Sequence, residues 1–430
     1  MTALRQEHAP SEARLWVELW PLLLASAVSL LPFTVYSTFL VPISEGAGGD
    51  VAAVGALRGL GGLTSLAVGV AAAPLLERFA KQRVSAFALA ILAAGSLAAM
   101  HGSFAALTAF CAAIGTATAI LVPALLASAA DRYDDDATSG RAATLVSATQ
   151  ALAAVAAGPL IGVVAAQTGW RGALFMTAAI ATVLAIGFAL RPDEHRHPGP
   201  PNRSAGYFEA FRQIAGRRIL LALIAAASFR TAALMGCLAY MAAWYDHAFA
   251  LDATLFTLVW TVSGLSFFLG NYFGGRWIGR TEDPHRVAVV LLIGVGVATV
   301  GLVLLFAAPS LAPAVAGTAL QSAGHAVTAA AITALIVRRG GPVRSAALSV
   351  NAAGMSLGTF AGASLGGAGL ALFGYPGVAA ALLLPLVAAI AIAAVLASRV
   401  KRALRGTRRP PPRSTFSSTA FDPRLRRCAR

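Results

Sequence analysis

Apolar blocks of about 20 residues, the length that an α-helix needs to cross a ~30 Å hydrocarbon layer, recur along most of this chain. Backbone polar groups in lipid must be satisfied within their own segment, so these blocks predict helices. The 430 residues are 58% hydrophobic and only 12% charged. That charged fraction is about half that of an ordinary soluble domain. The sequence therefore predicts an all-α polytopic membrane protein.

Twelve such blocks predict twelve transmembrane helices. A charged, Pro-rich interruption at 191–217, whose second part is amphipathic, is predicted to be a cytoplasmic linker touching the membrane surface. We expect a cytoplasmic N-terminal segment (1–17), two six-helix bundles (18–190 and 218–399) and a basic, disordered cytoplasmic tail (400–430). The predicted helices cover residues 18–41, 51–73, 84–101, 105–129, 141–165, 171–190, 218–243, 253–277, 286–307, 312–337, 344–370 and 376–398.

The distribution of basic residues predicts the topology. All but three of the 33 Lys and Arg residues fall at the N-terminus, in every second loop or in the tail. The exceptions are Arg58, Arg171 and Arg230. This alternation follows the positive-inside rule, and it predicts an inner (plasma) membrane protein with both termini in the cytoplasm. Since topology accounts for the net charge of +15, we expect a lipid bilayer and no nucleic acid as partner.

The two halves of the chain resemble each other at an offset of about 203 residues. The run RAATLVSATQA from Arg141 aligns with RSAALSVNAAG from Arg344. At an offset of 204 residues, Gly158 and Gly162 align with Gly362 and Gly366. A doubled six-helix unit is how many transporters are built, with the binding site at the interface of the repeats. The repeat therefore predicts two pseudo-symmetric halves.

Residues 73–83 (APLLERFAKQR) follow the second predicted helix and combine an acid, a base and a basic cluster. This run is similar to the signature Gly-x-Leu-x-Asp-Arg-x-Gly-Arg/Lys-Arg of the major facilitator superfamily, with Glu in place of Asp and Ala in place of both Gly. The resemblance extends over residues 15–400. It implies that superfamily's fold of twelve helices in two six-helix bundles, a small-molecule substrate, no cofactor and a monomeric protein.

The resemblance also implies a gate at this motif. Glu77 is expected near the N-terminus of helix 11, where the helix dipole favours negative charge. An ordinary solvated turn is the alternative. The other residues of the gating motif are Arg78, Lys81 and Arg83, with Arg280 as the counterpart in the second half.

Helix 5 carries the run Gly158-Pro159-x-x-Gly162. It is similar to a motif that is frequent in drug–proton antiporters, although it is shorter. The alternative is close helix packing through small residues, which we favour.

Two arginines lie inside predicted helices, where a charge costs at least ~2.5–3.5 kcal/mol and normally faces the bundle interior. Arg58 and Arg230 are both placed about 12 Å below the outer surface, together with Trp260, the repeat-mate of Arg58. All 18 Asp and Glu fall in loops, helix ends or interfaces, so neither arginine has an obvious buried carboxylate partner. We expect the substrate to supply the negative charge. Alternatively, each arginine bonds backbone carbonyls or stacks on an aromatic ring such as Trp260 or Phe229.

Further polar side chains on the predicted helices are candidates for substrate binding. Gln321 and His325 are four residues apart and share one face of helix 10. His325 is the only intramembrane side chain that titrates near neutrality unaided, which makes it the candidate for proton coupling; alternatively it is a neutral hydrogen-bonding residue. The remaining candidates are Tyr36 on helix 1, Gln150 on helix 5 and Asn351 on helix 11.

These residues predict a secondary transporter that moves a small organic solute, preferably an anion, by alternating access. The alternative is proton-coupled efflux of drugs or other amphipathic compounds. The helices lack metal-ligand spacing and a nucleophile beside a base, so we expect neither a metal site nor an enzyme. A sensor or scaffold that kept the fold is a third alternative, because fold does not fix function. The substrate's identity, the direction of transport and the coupling ion stay open.

Overall fold

The computed structural model describes residues 11–133, 135–191 and 207–407, and within these ranges the chain is almost entirely helical, without a β-strand. The predicted all-α fold is confirmed. Parts of the predicted N-terminal segment, linker and tail lie outside the described residues.

A 3₁₀ turn at Gly341–Val343 precedes the last helix. The helices are α1 (Glu12–Val28), α2 (Leu31–Thr38), α3 (Leu40–Gly46), α4 (Val51–Arg78), α5 (Lys81–Ala99), α6 (Phe104–Ala130), α7 (Asp136–Ala189), α8 (Tyr207–Ala215), α9 (Arg218–Phe249), α10 (Ala253–Gly279), α11 (Pro284–Ala307), α12 (Leu311–Gly340) and α13 (Arg344–Thr407).

Nine helical stretches of the described residues are long and apolar enough to cross a membrane. Two of them exceed one bilayer, with 53 residues at Ala137–Ala189 and 89 residues at Leu311–Arg399. Gly169 (φ 68°) breaks the first, and Gly341 (φ 50°) and Gly374 (φ 64°) break the second. Glycine adopts this left-handed conformation without a steric penalty and thereby ends a helix. The breaks favour twelve crossings, a number that stays a prediction.

The first crossing differs from the single helix predicted at 18–41. Three short helices, α1 to α3, follow one another with interruptions after Val28 and after Thr38. Pro32 stands at the start of α2 and has no N–H to donate to the carbonyl of Val28, so the helix cannot continue unchanged there. The apolar pattern runs on through the break, which explains why the pattern alone predicts one helix.

The connections gather at two ends of the helix bundle, which we name by their residues. The short-loop end holds residues 47–50, 100–103, 169, 250–252, 308–310 and 374. The basic end holds residues 79–80, 131–133 with 135, 191, 207–217, 280–283 and 341–343.

Side-chain caps fix where several helices begin. Ser103 accepts a hydrogen bond from the N–H of Ala106 at the start of α6, and Asp252 caps α10 in the same way. At the basic end, Asp135 caps α7 and accepts from the Thr138 hydroxyl as well as from backbone N–H groups. These bonds favour the ionised carboxylate and lower the pKa of Asp135. Polar residues in the connections therefore define helix boundaries that apolar runs leave vague.

Residues of the first half of the chain pack directly against residues of the second half. The helix α4 lies along the first part of α13, and the first part of α7 lies against α10. A Cβ atom on Gly62 would lie 2.6 Å from the Phe360 nitrogen, and one on Gly264 would lie 2.6 Å from the Ala154 carbonyl oxygen. Small residues thus let the backbones approach closely, as is usual between membrane helices.

Candidate functional site

Arg58 is buried in α4 and reaches across the two halves of the chain. Its Nη1 donates to Ser37 Oγ of α2, and its Nη2 lies 3.8 Å from Met235 Sδ of α9. The guanidinium carbon lies 5.6 Å from the centroid of the Phe33 ring. Because these partners are all neutral, no carboxylate among the described contacts balances the charge of Arg58.

Arg230 is buried in α9 and is bonded to neutral groups only. Its Nη1 donates to the backbone carbonyl of His325 (3.4 Å), and its Nη2 donates to Thr231 Oγ1 (3.1 Å). Its Nε has no partner in the described structure. A buried donor that stays unsatisfied costs roughly 1–3 kcal/mol. Such a donor therefore calls for a ligand or a water molecule.

Gln321 and His325 are both buried on α12, where the backbone carbonyl of His325 accepts from Arg230 of α9. Gln321 Oε1 accepts from Cys237 Sγ (3.2 Å), whereas Gln321 Nε2 has no partner. Neither ring nitrogen of His325 has a partner among the described residues. We call Arg230, Cys237, Gln321 and His325 the buried polar cluster. The cluster presents four nitrogen atoms, including Arg230 Nε, that a ligand can engage.

The two arginines lie at different levels of the bundle, which departs from the equal depth predicted. Arg58 contacts Met235, which follows Arg230 by five residues on α9. Five residues span about 7–8 Å along a helix axis. The predicted depth counted Arg230 about twelve residues from the helix start at 218 and took the rest of a ~30 Å layer as the distance to the outer surface. The helix α9 instead continues to Phe249. The arginines therefore line two successive levels, with Arg58 nearer the short-loop end.

Trp260 does not stack on either arginine. It is buried in α10, and its ring pairs edge-on with the Phe256 ring at a centroid distance of 6.4 Å. Phe229, the other aromatic considered for stacking, is exposed on the outside of α9. The aromatic partner of Arg58 is instead Phe33 of α2.

The other polar candidates separate into two groups. Tyr36 lies next to the serine that binds Arg58, and its hydroxyl donates to the Val54 carbonyl (2.5 Å). Gln150 instead donates to Ser29 Oγ (3.3 Å), and Asn351 donates to a methionine sulfur one turn away (3.6 Å). The structure thus brings Tyr36 near Arg58, while Gln150 and Asn351 form their bonds elsewhere.

The gating motif lies at the basic end. The backbone is helical through Arg78, but the side chains of Glu77 and Arg78 lie outside the described residues. Lys81 forms an ion pair with Asp131, which follows α6. The gate itself stays a prediction. Two further basic residues of the motif are exposed at this end, Arg83 and Arg280.

The helix-packing motif faces α10. A Cβ on Gly162 would lie 2.6 Å from Thr257 Oγ1, and one on Gly158 would lie 2.7 Å from Thr261 Oγ1. Pro159 lies within α7 and is exposed. This geometry favours the packing interpretation of the motif, since any larger side chain would force the two halves apart.

Tyr240 is a functional candidate that sequence reasoning does not single out. It is fully buried in α9, and its hydroxyl lies 3.2 Å from the Ala52 carbonyl oxygen of α4 and 3.0 Å from the Ala363 carbonyl oxygen of α13. Its ring fills a hollow in which a Cβ on Gly55 or Gly366 would overlap it. Tyr240 therefore joins the two halves near the short-loop end.

The arrangement is suited to binding an anion between helices. Two buried guanidinium groups create a positive potential that a low-dielectric interior does not screen. A guanidinium binds a carboxylate or a phosphate through two parallel N–H···O bonds. The unpartnered nitrogen atoms of the buried polar cluster add hydrogen bonds at an adjacent level.

Solved structures of transporters share this fold. A bacterial homolog to the human lysosomal transporter Spinster, in an inward-facing and unoccupied conformation, has a TM-score of 0.70 and 18% identity, covering 94% of this chain and 100% of that chain. Its inward-facing, occupied form has a TM-score of 0.71 and 17% identity over the same shares. A mutant of the nucleoside transporter NupG has a TM-score of 0.69 and 13% identity, covering 89% of this chain and 99% of that chain. At such identities the likeness shows the fold alone.

No curated protein matches this chain. The family model described as Major Facilitator Superfamily matches residues 22–288 and, in a second match, residues 229–426. The two matches together take in nearly the whole length, and they agree with the transporter fold of the solved structures. This protein is therefore a multi-pass membrane transporter, not an enzyme, and it belongs to the Major Facilitator Superfamily.

Proposed function

We propose that this protein is a secondary transporter that moves a small organic anion across the inner membrane by alternating access, as a monomer with both termini in the cytoplasm. One observation carries the proposal. Arg58 and Arg230 are both buried in membrane-crossing helices, and neither forms an ion pair within the described part of the chain. A substrate carboxylate or phosphate would provide the missing countercharge.

The energetics support a charged substrate. Inserting an arginine into the middle of a membrane helix costs at least ~2.5–3.5 kcal/mol of free energy, and such residues normally mark substrate or ion pathways. If these residues only filled space between helices, an apolar side chain would pack equally well without that free-energy cost. The arginines are therefore best explained by a ligand that is present for only part of the transport cycle.

His325 is the proposed site of proton coupling. Its backbone carbonyl accepts from Arg230, and both nitrogens of its ring lack partners in the described structure. The guanidinium charge repels a proton on His325, whereas an anion bound to Arg230 removes that repulsion. Anion and proton would therefore enter the buried polar cluster together, which makes the reaction a symport.

Alternating access requires the short-loop end to open. In the proposed cycle the two six-helix bundles, residues 18–190 and 218–399, rock against each other. Tyr240 then leaves the hollow beside Gly55, and the contact of Arg58 with Met235 breaks. The substrate site would thereby face the two sides of the membrane in turn.

A second candidate function is proton-coupled efflux of amphipathic compounds. The observation in its favour is the apolar setting of Arg58, which lies between the Phe33 ring and the Met235 sulfur. Methionine adapts to irregular ligands and recurs at promiscuous binding surfaces. The two functions differ in what they require of Arg230.

Thermal stabilisation of the purified protein by organic anions, lipophilic cations and neutral sugars separates the two functions. Ligand at 100-fold over its Kd should add about 2.7 kcal/mol of stability. We expect anions to stabilise the parent, Arg230→Lys to respond weakly and Arg230→Gln not at all. Arg276→Gln, which removes an exposed arginine from the basic end, is the matched control and should respond like the parent. Equal stabilisation of parent and Arg230→Gln by cations or neutral amphiphiles would establish efflux instead.

A further inference from the structure

A groove of about 460 Å³ lies between α1 and the second part of α7, away from the buried polar cluster. One wall is formed by α1, with Trp20 and Leu24, and the other by the last three turns of α7, with Val183, Gly187 and Phe188. Trp20 and Val183 are 56% and 70% exposed, so the groove lies on the outer surface of the bundle, where a transmembrane protein meets lipid.

The groove has the dimensions of one lipid leaflet. Its α7 wall runs from Ala179 to Arg191, which corresponds to about 18 Å along a helix axis. Half of a ~30 Å hydrocarbon layer is about 15 Å. An acyl chain that is parallel to the helices can therefore lie along the whole apolar wall.

Arg191 is the single charged residue that lines the groove. It follows the C-terminal end of α7, and its guanidinium carbon lies 5.7 Å from the centroid of the Phe188 ring. This contact holds the charge above the apolar wall, at the basic end of the bundle. Trp20 lies on the facing wall, and tryptophan is the residue type enriched at membrane–water interfaces.

We propose that this groove binds one anionic phospholipid, with an acyl chain along α7 and the headgroup phosphate on Arg191. Arginine next to a membrane-crossing helix attracts anionic headgroups and binds phosphate bidentately. A zwitterionic headgroup carries its own cation, which offsets this attraction. The site is separate from the substrate pathway, and the proposal does not rest on the proposed function.

Two substitutions test the two halves of the site independently. Arg191→Gln removes the charge, whereas Gly187→Leu fills the groove at a glycine where an added Cβ meets no atom within 4 Å. The second variant is therefore expected to fold. Arg218→Gln removes an exposed arginine from the same end, outside the groove, and serves as the control.

The measurement is native mass spectrometry of the detergent-solubilised protein titrated with phosphatidylglycerol or phosphatidylcholine. We expect about a fivefold lower affinity for the first phosphatidylglycerol in Arg191→Gln, since one basic residue near the surface contributes about that factor. Gly187→Leu should lose the same adduct, and Arg218→Gln should keep it. Equal phosphatidylglycerol binding by all three variants would overturn the proposal. So would a loss in Gly187→Leu that is equal for both lipids and absent in Arg191→Gln, because the groove would then bind any acyl chain.

Discussion

Tyr240→Phe should weaken the closed state of the short-loop end. The Tyr240 hydroxyl lies within hydrogen-bonding distance of the Ala52 carbonyl in one half and the Ala363 carbonyl in the other. A hydrogen bond of this kind contributes about 1 kcal/mol, or about a factor of five in the closed-to-open ratio. When the halves separate, the Tyr240 hydroxyl loses only the Ala52 carbonyl, because Ala363 lies in its own half. The change in the closed-to-open ratio is therefore at most about fivefold. Tyr240→Ala also empties the hollow beside Gly55 and should open this end further.

Double electron–electron resonance measures the opening directly. Spin labels at residues 45 and 248, both exposed near the short-loop end, report the separation of the two halves. The three native cysteines are first replaced. We expect a longer-distance population that grows from the parent through Tyr240→Phe to Tyr240→Ala.

Tyr245→Phe is the matched control for this experiment. Tyr245 is also fully buried in α9, but its hydroxyl pairs with Thr318 Oγ1 (2.8 Å) within the second half of the chain. Removing the Tyr245 hydroxyl eliminates a similar hydrogen bond but leaves the contact between the two halves intact. If both Tyr240 variants give the same distances as Tyr245→Phe, Tyr240 does not hold this end closed and the reasoning is wrong.

Three further predictions concern packing, gating and coupling. Gly162→Val should destabilise the protein by about 1–3 kcal/mol, because the added atoms overlap Thr257; a denaturation midpoint equal to that of the parent would contradict this. Glu77→Gln should preserve expression but shift the balance between the two facing states, read as altered cysteine accessibility; unchanged accessibility would argue for a solvated turn. His325→Gln should keep substrate exchange while abolishing accumulation driven by a proton gradient, and undiminished accumulation in proteoliposomes would remove His325 from the coupling mechanism.

The sequence predicts much of the fold because lipid leaves few solutions for an apolar segment. A block of about 20 apolar residues must form a helix, so the predicted segments overlie the observed helices. The predictions that were wrong concern where helices break or end, which an apolar pattern does not reveal. Pro32 interrupts the first crossing, and α9 continues to Phe249 beyond its predicted end.

The site could be predicted only in part. The high cost of a buried charge singles out Arg58 and Arg230 without any knowledge of the fold. The contacts between distant segments could not be predicted, because apolar residues on an apolar helix carry no distinguishing signal. Met235, which lies 177 residues from Arg58, and Tyr240, which lies 188 residues from Ala52, are examples. Their roles emerge only when the helices are packed together.

The most direct test of an anion site is counterflow exchange in proteoliposomes, using the anion that stabilises the purified protein best. The account predicts saturable exchange by the parent and by Arg276→Gln. Arg230→Lys should raise KM, because lysine keeps the charge but loses the bidentate fork, and Arg230→Gln should abolish exchange. Exchange by Arg230→Gln with parental kcat and KM would contradict the account, since the substrate would then need no countercharge from this arginine.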